Sequence, residues 1–397
     1  MKSRPAYGID VGTTKIVAVS GRVDSEGFAE VTSVGEAPSH GLKRGVIVDR
    51  TRARESVAAA IEACGRPEGS VCVGVAGSHI SSFNIGASLL NSGRNLKVTE
   101  KFIRRLEEEA RRVEVDEDEQ VIHVIPRSFS LDGNEGVRHP VGLAARRVTM
   151  RAHVVSGAVS SIQNLLEAVE ECGVTVSRVV LEPLASAEAI FSDEDRAGSA
   201  LVDIGGGTTD IAAFSRGVLA HTAVVPLGGE SLSSDVAYGL KVPFETAESL
   251  KRRYGTVLPD TVDPVAAAGI EDRHYNARFV SQILEYRARE ILEFARDSLI
   301  EARVASRLSG AVVLTGGGSL LDGMPELAED IIGLPARVAA PHRLEGESKP
   351  LQKPQYSTAI GLLHFAAENY ERESKGKGAS AASFGSIVSA IKSWFRG

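Results

Sequence analysis

The chain has 397 residues with 43% hydrophobic and 24% charged content, the proportions of a globular protein with enough length for two or more domains. A formal net charge of −7 argues against nonspecific binding to nucleic acid, so no nucleic-acid partner is expected. No apolar run reaches the roughly 18 residues of a membrane-spanning helix, the opening MKSRPAYGIDVGTTK predicts no secretory leader, and Cys64, Cys72 and Cys172 show neither metal-ligand spacing nor a disulfide framework, which suits buried packing in a reducing compartment.

In chain order, the first elements read as a strand (6–10), a tight turn, a strand (15–20), a turn and a strand (28–34). A helix over 52–63 and a strand over 70–76 follow. Residues 84–153 then read as a compact α+β insertion. Its helix starts after Thr99, with Phe102, Ile103, Leu106, Ala110 and Val113 on one side, and strands follow at 120–130 and 145–155. The charge runs Glu107–Glu109, Arg111–Arg112 and Asp116–Glu119 are expected to be solvated faces. A helix (160–172) and a strand (178–181) resume the first unit.

The opening pattern then repeats as a strand (199–204), Gly205–Gly207, a strand (209–214), a turn at Ser215–Gly217 and a strand (218–225). Each copy has a hydrophobic strand ending in Asp, then glycine, then Thr-Thr. A duplicated unit of this kind suggests a ligand held between two halves. Gly12 and Gly205, Gly206 and Gly207 allow close backbone approach, and turns of this type present N–H groups to an anion. Thr13, Thr14, Thr208 and Thr209 add hydroxyls, and Lys15 adds a point charge suited to phosphate. Asp10 and Asp203, at strand ends, suit a hydrated Mg²⁺. Two glycine-rich hairpins without a ligand are the plain alternative, which their recurrence in register disfavours. No P-loop or GxGxxG motif is present.

Residues 229–309 are mostly helical, with apolar residues at 279, 280, 283, 284, 291, 294, 295 and 299 and Arg278, Arg287, Arg289 and Arg296 on or near the other face. Glu248 and Lys251 stand i, i+3 on one helix, as in an ordinary surface ion pair. A third glycine cluster, Gly316, Gly317 and Gly318, lies between an apolar strand (311–315) and a helix beginning near Asp322, a second seat for an anion or ribose. After a helix at 358–370, residues 371–383 read as a flexible linker. In the final segment, Phe384, Ile387, Val388, Ile391, Trp394 and Phe395 form one apolar stripe, beside Lys392 and Arg396. About twelve helical residues span about 18 Å, too short to cross a bilayer. The net charge from Glu371 onward is +3, so a helix lying in the headgroup plane of anionic lipid is expected.

The segments DVGTTK, DIGGGTTD, LEPLASAEA and LTGGGSLLDG resemble the phosphate 1, phosphate 2, connect 1 and adenosine motifs of the actin/Hsp70/sugar-kinase ATPase superfamily. SHGLKRGVIVDR (39–50), VGVAGSHISSFN (73–84) and the amphipathic end resemble, within it, the bacterial cell-division FtsA family. The resemblance implies an α/β fold of duplicated ribonuclease-H-type domains with an inserted α+β subdomain and a C-terminal amphipathic helix. It divides the chain into subdomain 1A (1–83 and 154–197, with a return helix at 358–370), 1C (84–153), 2A (198–228 and 310–357), 2B (229–309), a linker (371–383) and a membrane-targeting helix (384–397).

The same resemblance implies ATP and Mg²⁺ as cofactors, Asp10 and Asp203 as Mg²⁺-associated acids and Glu182 as the residue that positions attacking water. It places Asp210 at the close of the phosphate 2 motif, and Glu248, Lys251 and Gly316–Gly318 around adenosine. It implies at most a weak ATPase that polymerises on the cytoplasmic face of the cell membrane, as a peripheral protein at the division site. Its partners would be itself, anionic lipid, other divisome proteins and the C-terminal peptide of the tubulin homologue FtsZ, docked on 229–309 with Arg287 and Arg289 as candidate contacts. A sugar kinase, a chaperone-type ATPase and a pilus-assembly ATPase of the same superfamily are the alternatives.

Overall fold

The computed structural model describes residues 4–67, 70–93, 95–270 and 272–374. Three antiparallel strands, β1 (Arg4–Val11), β2 (Lys15–Val23) and β3 (Ala29–Pro38), open the chain. A small hairpin of β4 (Leu42–Lys43) and β5 (Val46–Ile47) leads into α1 (Arg50–Cys64), where the Asp49 side chain accepts the Arg52 N–H and caps the helix. Strand β6 (Ser70–Val75) lies parallel to β1.

The chain then leaves this unit for β7 (Ile80–Leu90), α2 (Glu100–Ala110), β8 (Glu119–Leu131), β9 (Asn134–Val137) and β10 (Arg147–Ala158). It returns through α3 (Val159–Glu170), β11 (Thr175–Leu181), α4 (Glu182–Ile190) and the short α5 (Asp193–Gly198). The second unit has β12 (Ala200–Ile204), β13 (Thr209–Ser215) and β14 (Val218–Val225), followed by α6 (Gly229–Leu240), α7 (Phe244–Tyr254), the hairpin β15 (Ala267–Ile270) and β16 (Arg273–Asn276), and α8 (Ala277–Glu301). The last elements are β17 (Val312–Thr315), α9 (Met324–Ile332), β18 (Ala336–Val338), β19 (Leu344–Glu345) and α10 (Ser357–Ser374).

The duplication seen in the sequence is a duplication of topology. The first sheet runs β11-β6-β1-β2-β3-β19, and the second runs β14-β13-β12-β17-β18. In each, three antiparallel strands are extended beyond the first of them by two parallel ones. Every residue of β12 is buried, as expected for a strand covered on both faces. One apolar core fills each half and a third fills the insertion. There the stripe of Phe102, Ile103, Leu106 and Ala110 on α2 packs against Val124, Phe129, Met150 and Val154 of the sheet β7-β10-β8-β9, with Val113 at its margin.

Three expectations shift. The inserted sheet pairs from Ile80↔Gly157 outward, so limits at 84 and 153 fall inside β7 and β10; Ile80–Phe83 has no turn residue to announce that the strand has begun. Helix α10 continues to Ser374, through the first four positions assigned to the linker; positions 375–383, and the whole segment 384–397, lie outside the described residues. On α8 the buried stripe is Val280, Leu284, Ala288, Ile291, Leu292, Ala295 and Leu299, whereas Phe279 and Phe294 are 45% and 47% exposed, since a seven-residue apolar face leaves them at its edges.

Helix α10 packs across β1 and α4 and so ties the end of the described chain to the first half. Gly361 sits at the crossing: a Cβ there would stand 1.8 Å from the Ala185 carbonyl oxygen. Replacing Gly361 by alanine should therefore push the helices apart and cost about 1–3 kcal/mol. Chemical denaturation measures this, and an unchanged midpoint would show that the two helices do not meet at Gly361.

Candidate functional site

The hairpin tips at Gly12–Thr14 and Gly205–Thr208 point at each other from the two halves. A Cβ on Gly206 would lie 2.4 Å from Thr14 Cγ2, and one on Gly207 2.4 Å from Thr13 Oγ1. Only glycine lets the tips come this close. The second tip is braced from behind: the first-turn N–H groups of Gly229 and Glu230 donate to the carbonyls of Gly205 (2.9 Å) and Gly206 (2.8 Å).

Four carboxyl groups gather beneath this contact. Asp10 is the penultimate residue of β1, Asp203 is in β12, Asp210 is in β13, and Glu182 is the first residue of α4, directly after β11. Burial raises all of them from the ordinary carboxylate range. Asp10 is pushed up to about 7, through loss of water, countered by Lys15, with further upward pressure from Asp203. Asp203 is pushed up to about 6 by burial, countered by hydrogen bonds from Ser186 and Thr358. Asp210 and Glu182 are held well above their usual values, chiefly by burial and then by the neighbouring acids.

Asp203 Oδ2 accepts Ser186 Oγ–H at 2.5 Å and Thr358 Oγ1–H at 3.4 Å. Asp210 Oδ2 accepts Thr208 Oγ1–H at 3.1 Å, while its Oδ1 is buried without a hydrogen-bond partner. Acids of raised proton affinity, one of them with an oxygen that has no partner among the described residues, fit a divalent cation that would compete with protons for them. Among the described residues no three His, Cys, Asp or Glu side chains converge closely enough to hold a metal directly.

The threonines divide. Thr14 is exposed, Thr13 Oγ1 accepts the Gly45 N–H at 3.1 Å, and Thr208 serves Asp210. Thr209 does not offer its hydroxyl to the cleft. It is fully buried and donates to the Leu227 carbonyl at 2.9 Å, because its β13 position points into the core of the second half. Lys15 Nζ lies 4.1 Å over the Tyr356 ring and 3.7 Å from Glu36 Oε1. In the third glycine cluster, Gly316 and Gly318 press on β12: a Cβ would stand 2.3 Å from Asp203 Oδ1 and from Ile204 Cγ2 respectively. Gly317 faces open space. Lys251 Nζ pairs with Glu248 Oε2 at 2.7 Å and donates to the Gly229 carbonyl at 2.8 Å, and Glu248 also takes the Ser233 hydroxyl proton. The pair thus props the start of α6, the element that braces the second tip.

Arg287 and Arg289 lie away from the cleft, and the structure neutralises both. Arg287 bonds Asp235 through two N–H groups and also Glu290, and Arg289 bonds Glu285 and Asp330. The sequence pattern misses Ser186, Thr358 and Tyr356. Ser186 stands one helical turn after Glu182, a spacing that would have flagged it; Thr358 and Tyr356 carry no local signal.

A profile of the family described as cell division protein FtsA matches residues 200–361, and one of the SHS2 domain inserted in FTSA matches residues 77–156, from before β7 to within β10. The chain is 33% identical to the cell division protein FtsA of Pseudomonas aeruginosa over 98% of this chain and 97% of that protein. It is 31% identical to that of Escherichia coli (strain K12), with 98% and 97% covered. Among solved structures, a PilM–PilN type IV pilus biogenesis complex superposes with TM-score 0.68 at 16% identity, covering 91% of this chain and 98% of that one. MreB 5 of Spiroplasma citri bound to AMPPNP superposes with TM-score 0.55 at 14% identity, covering 95% and 100%. These structural likenesses establish an α/β, actin-like fold and nothing about role.

The raised carboxyls set a pH dependence. Asp10 and Asp203 each rise from 3.8, to about 7 and about 6, on folding. Across that window the folded chain holds more protons than the unfolded one, so stability present near pH 4 is lost as pH climbs through 6–7. The ligand-free melting temperature should fall between pH 5 and pH 8. Asp10→Asn or Asp203→Asn should flatten that fall, by on the order of 1–4 kcal/mol at pH 8. Calorimetry showing equal pH slopes in wild type and both variants would exclude these acids as its source.

Proposed function

The chain belongs to the FtsA family of cell-division proteins, and on that premise we propose that it binds ATP and Mg²⁺ between its two hairpins, polymerises on the cytoplasmic face of the membrane, and anchors FtsZ at the division site. The observation that carries the nucleotide part is the meeting of two Asp-Gly-Thr hairpins above four clustered carboxyls, two of them buried and two half-buried. MreB 5 of Spiroplasma citri, bound to AMPPNP, shares the fold.

When bound, ATP and its cation would supply a γ-phosphoryl group open to attack by water. Asp10 and Asp203 hold the cation's hydration shell, with Asp210 beside them. Gly12, Thr13, Thr14, Gly205–Gly207 and Thr208 seat the phosphates, and Lys15 adds positive charge from beside Tyr356. The open face at Gly317 and the brace of Glu248 and Lys251 flank the nucleoside end. Glu182 orients water and takes its proton at a carboxylate oxygen; a carboxyl held above the usual range is the stronger base once ionised. Turnover is slow, and nucleotide chiefly sets the state of assembly.

For the acidic FtsZ peptide, the internal pairing of Arg287 and Arg289 shifts the expected contacts toward exposed apolar groups. Tyr238 on α6 and Tyr286 on α8 are 89% and 78% exposed, on helices joined by the Arg287–Asp235 pair. The terminal stripe at 384–397 supplies lipid contact. One short amphipathic anchor binds reversibly, and a filament carrying many of them gains avidity of roughly 10²–10⁴.

Two measurements test this reading. Asp203→Ala and Gly206→Asp should each weaken ATP binding at least about tenfold in calorimetry, as loss of a charge-assisted contact or a blocked seat requires; unchanged affinity in both removes the site. In sedimentation with anionic liposomes, truncation after Ser383 should abolish binding and Trp394→Glu should nearly do so, whereas persistence of binding after truncation would place the lipid contact elsewhere.

A further inference from the structure

Gly77, Ser78 and His79 join β6 to β7, where the chain leaves the first half for the insertion. The backbone of His79 fastens that junction: its carbonyl accepts the Ala158 N–H at 3.2 Å, at the point where the chain returns. Its side chain folds back over Gly77, where a Cβ would stand 2.8 Å from Nδ1, and lines a cavity of about 10 Å³ shared with Glu182, Val11, Gly45 and Ser161. Both ring nitrogens are buried with no hydrogen-bond partner among the described residues. Glu182 closes another wall: a Cβ on Gly74, a further lining residue, would meet its Cγ at 3.0 Å. The cavity adjoins the phosphate hairpin, because Val11 precedes Gly12 and the Gly45 N–H donates to Thr13 Oγ1.

A purely space-filling residue at this position would be apolar, since a buried imidazole without partners is costly. A cavity of this size holds about one water, and a water needs polar partners. His79 and Glu182 both line the chamber and can supply them. We propose that His79 and Glu182 hold one water between them here, and that His79 is a positioning residue. It fixes that water, and through it the Glu182 carboxyl, for hydrolysis in the adjoining cleft. Burial lowers the imidazole from its usual value, so the ring is neutral and offers one donor and one acceptor. The residue that fastens both ends of the insertion then also lines the same chamber as Glu182. This inference rests on the reading of the cleft as an ATP site.

The test uses full-length protein with ¹⁵N-labelled histidine rings, the His79 signals being those lost in His79→Gln. In nucleotide-free protein, Glu182→Gln should shift the His79 ring-nitrogen resonances. With ATP, His79→Leu should keep nucleotide affinity within about threefold while turnover falls at least tenfold, and His79→Gln, which can still donate and accept, should recover a substantial part of that loss. Unaltered His79 resonances in Glu182→Gln, or equal turnover in the Leu and Gln variants, would overturn the proposal. If wild type binds no ATP, the nucleotide reading fails by itself, and the resonance comparison still decides whether the two side chains share a water.

Discussion

The structure depends on one contact: the glycines of the second tip lie directly against the threonine side chains of the first, with no room for a Cβ between them. Gly206 against Thr14 and Gly207 against Thr13 fix how far the halves approach. That approach decides the rest, because it gathers Asp10, Asp203, Asp210 and Glu182 in one place, with Asp203 and Asp210 buried and Asp10 and Glu182 half-buried. Four carboxyls so crowded do not ionise as freely as separate ones. The ligand-free fold meets the constraint by raising the proton affinity of all four. The crowding that gathers these acids is therefore the same feature that weakens the ligand-free fold as pH rises.

The contact is held from behind by elements distant in sequence. Asp203 accepts the Ser186 hydroxyl of α4 at 2.5 Å, and the Thr358 hydroxyl of α10 stands 2.9 Å from Ser186 Oγ and 3.4 Å from the carboxylate, with one proton to give to either. Next to Thr358, Ser357 bonds Thr315 of the second sheet at 2.7 Å. The start of α10 thus touches an acid of the cleft, a helix of the first half and a strand of the second. Any change in the charge of Asp203 acts on α10 at that junction, and the close crossing at Gly361 leaves the helix little freedom to absorb the change locally.

What the sequence made legible was local. An Asp at a strand end, glycines and paired threonines within six residues announce a hairpin, and meeting the pattern twice announces a duplicated fold. The α2 stripe was equally plain, since Phe102, Ile103, Leu106 and Ala110 follow helical spacing. Partnerships across the chain were hidden. Nothing near Thr209 shows that its hydroxyl belongs to Leu227, and nothing near Arg287 or Arg289 shows that Asp235 and Asp330 will neutralise them. His79 stood in a segment marked by resemblance alone; its relation to Glu182 exists only once β6 and β11 lie side by side.

The insertion is covalently part of the first half yet rests on the second. Ser82 Oγ donates to the Thr222 carbonyl at 2.7 Å, and His153 spans from Asn84 Oδ1 at 3.0 Å to Thr222 Oγ1 at 2.9 Å. Burial, with the nearby His221 and Arg127, pushes the His153 imidazole down to about 3, so it bridges as a neutral ring. These bonds join β7 and β10 to β14, the edge of the sheet that carries Asp203 and Asp210. A rotation of one half against the other must carry the insertion along or break this seam, because buried side-chain hydrogen bonds have no water ready to replace them. The insertion is thereby tied to the position of both glycine tips: through the junction at His79 and Ala158 on one side, and through Thr222 on the other.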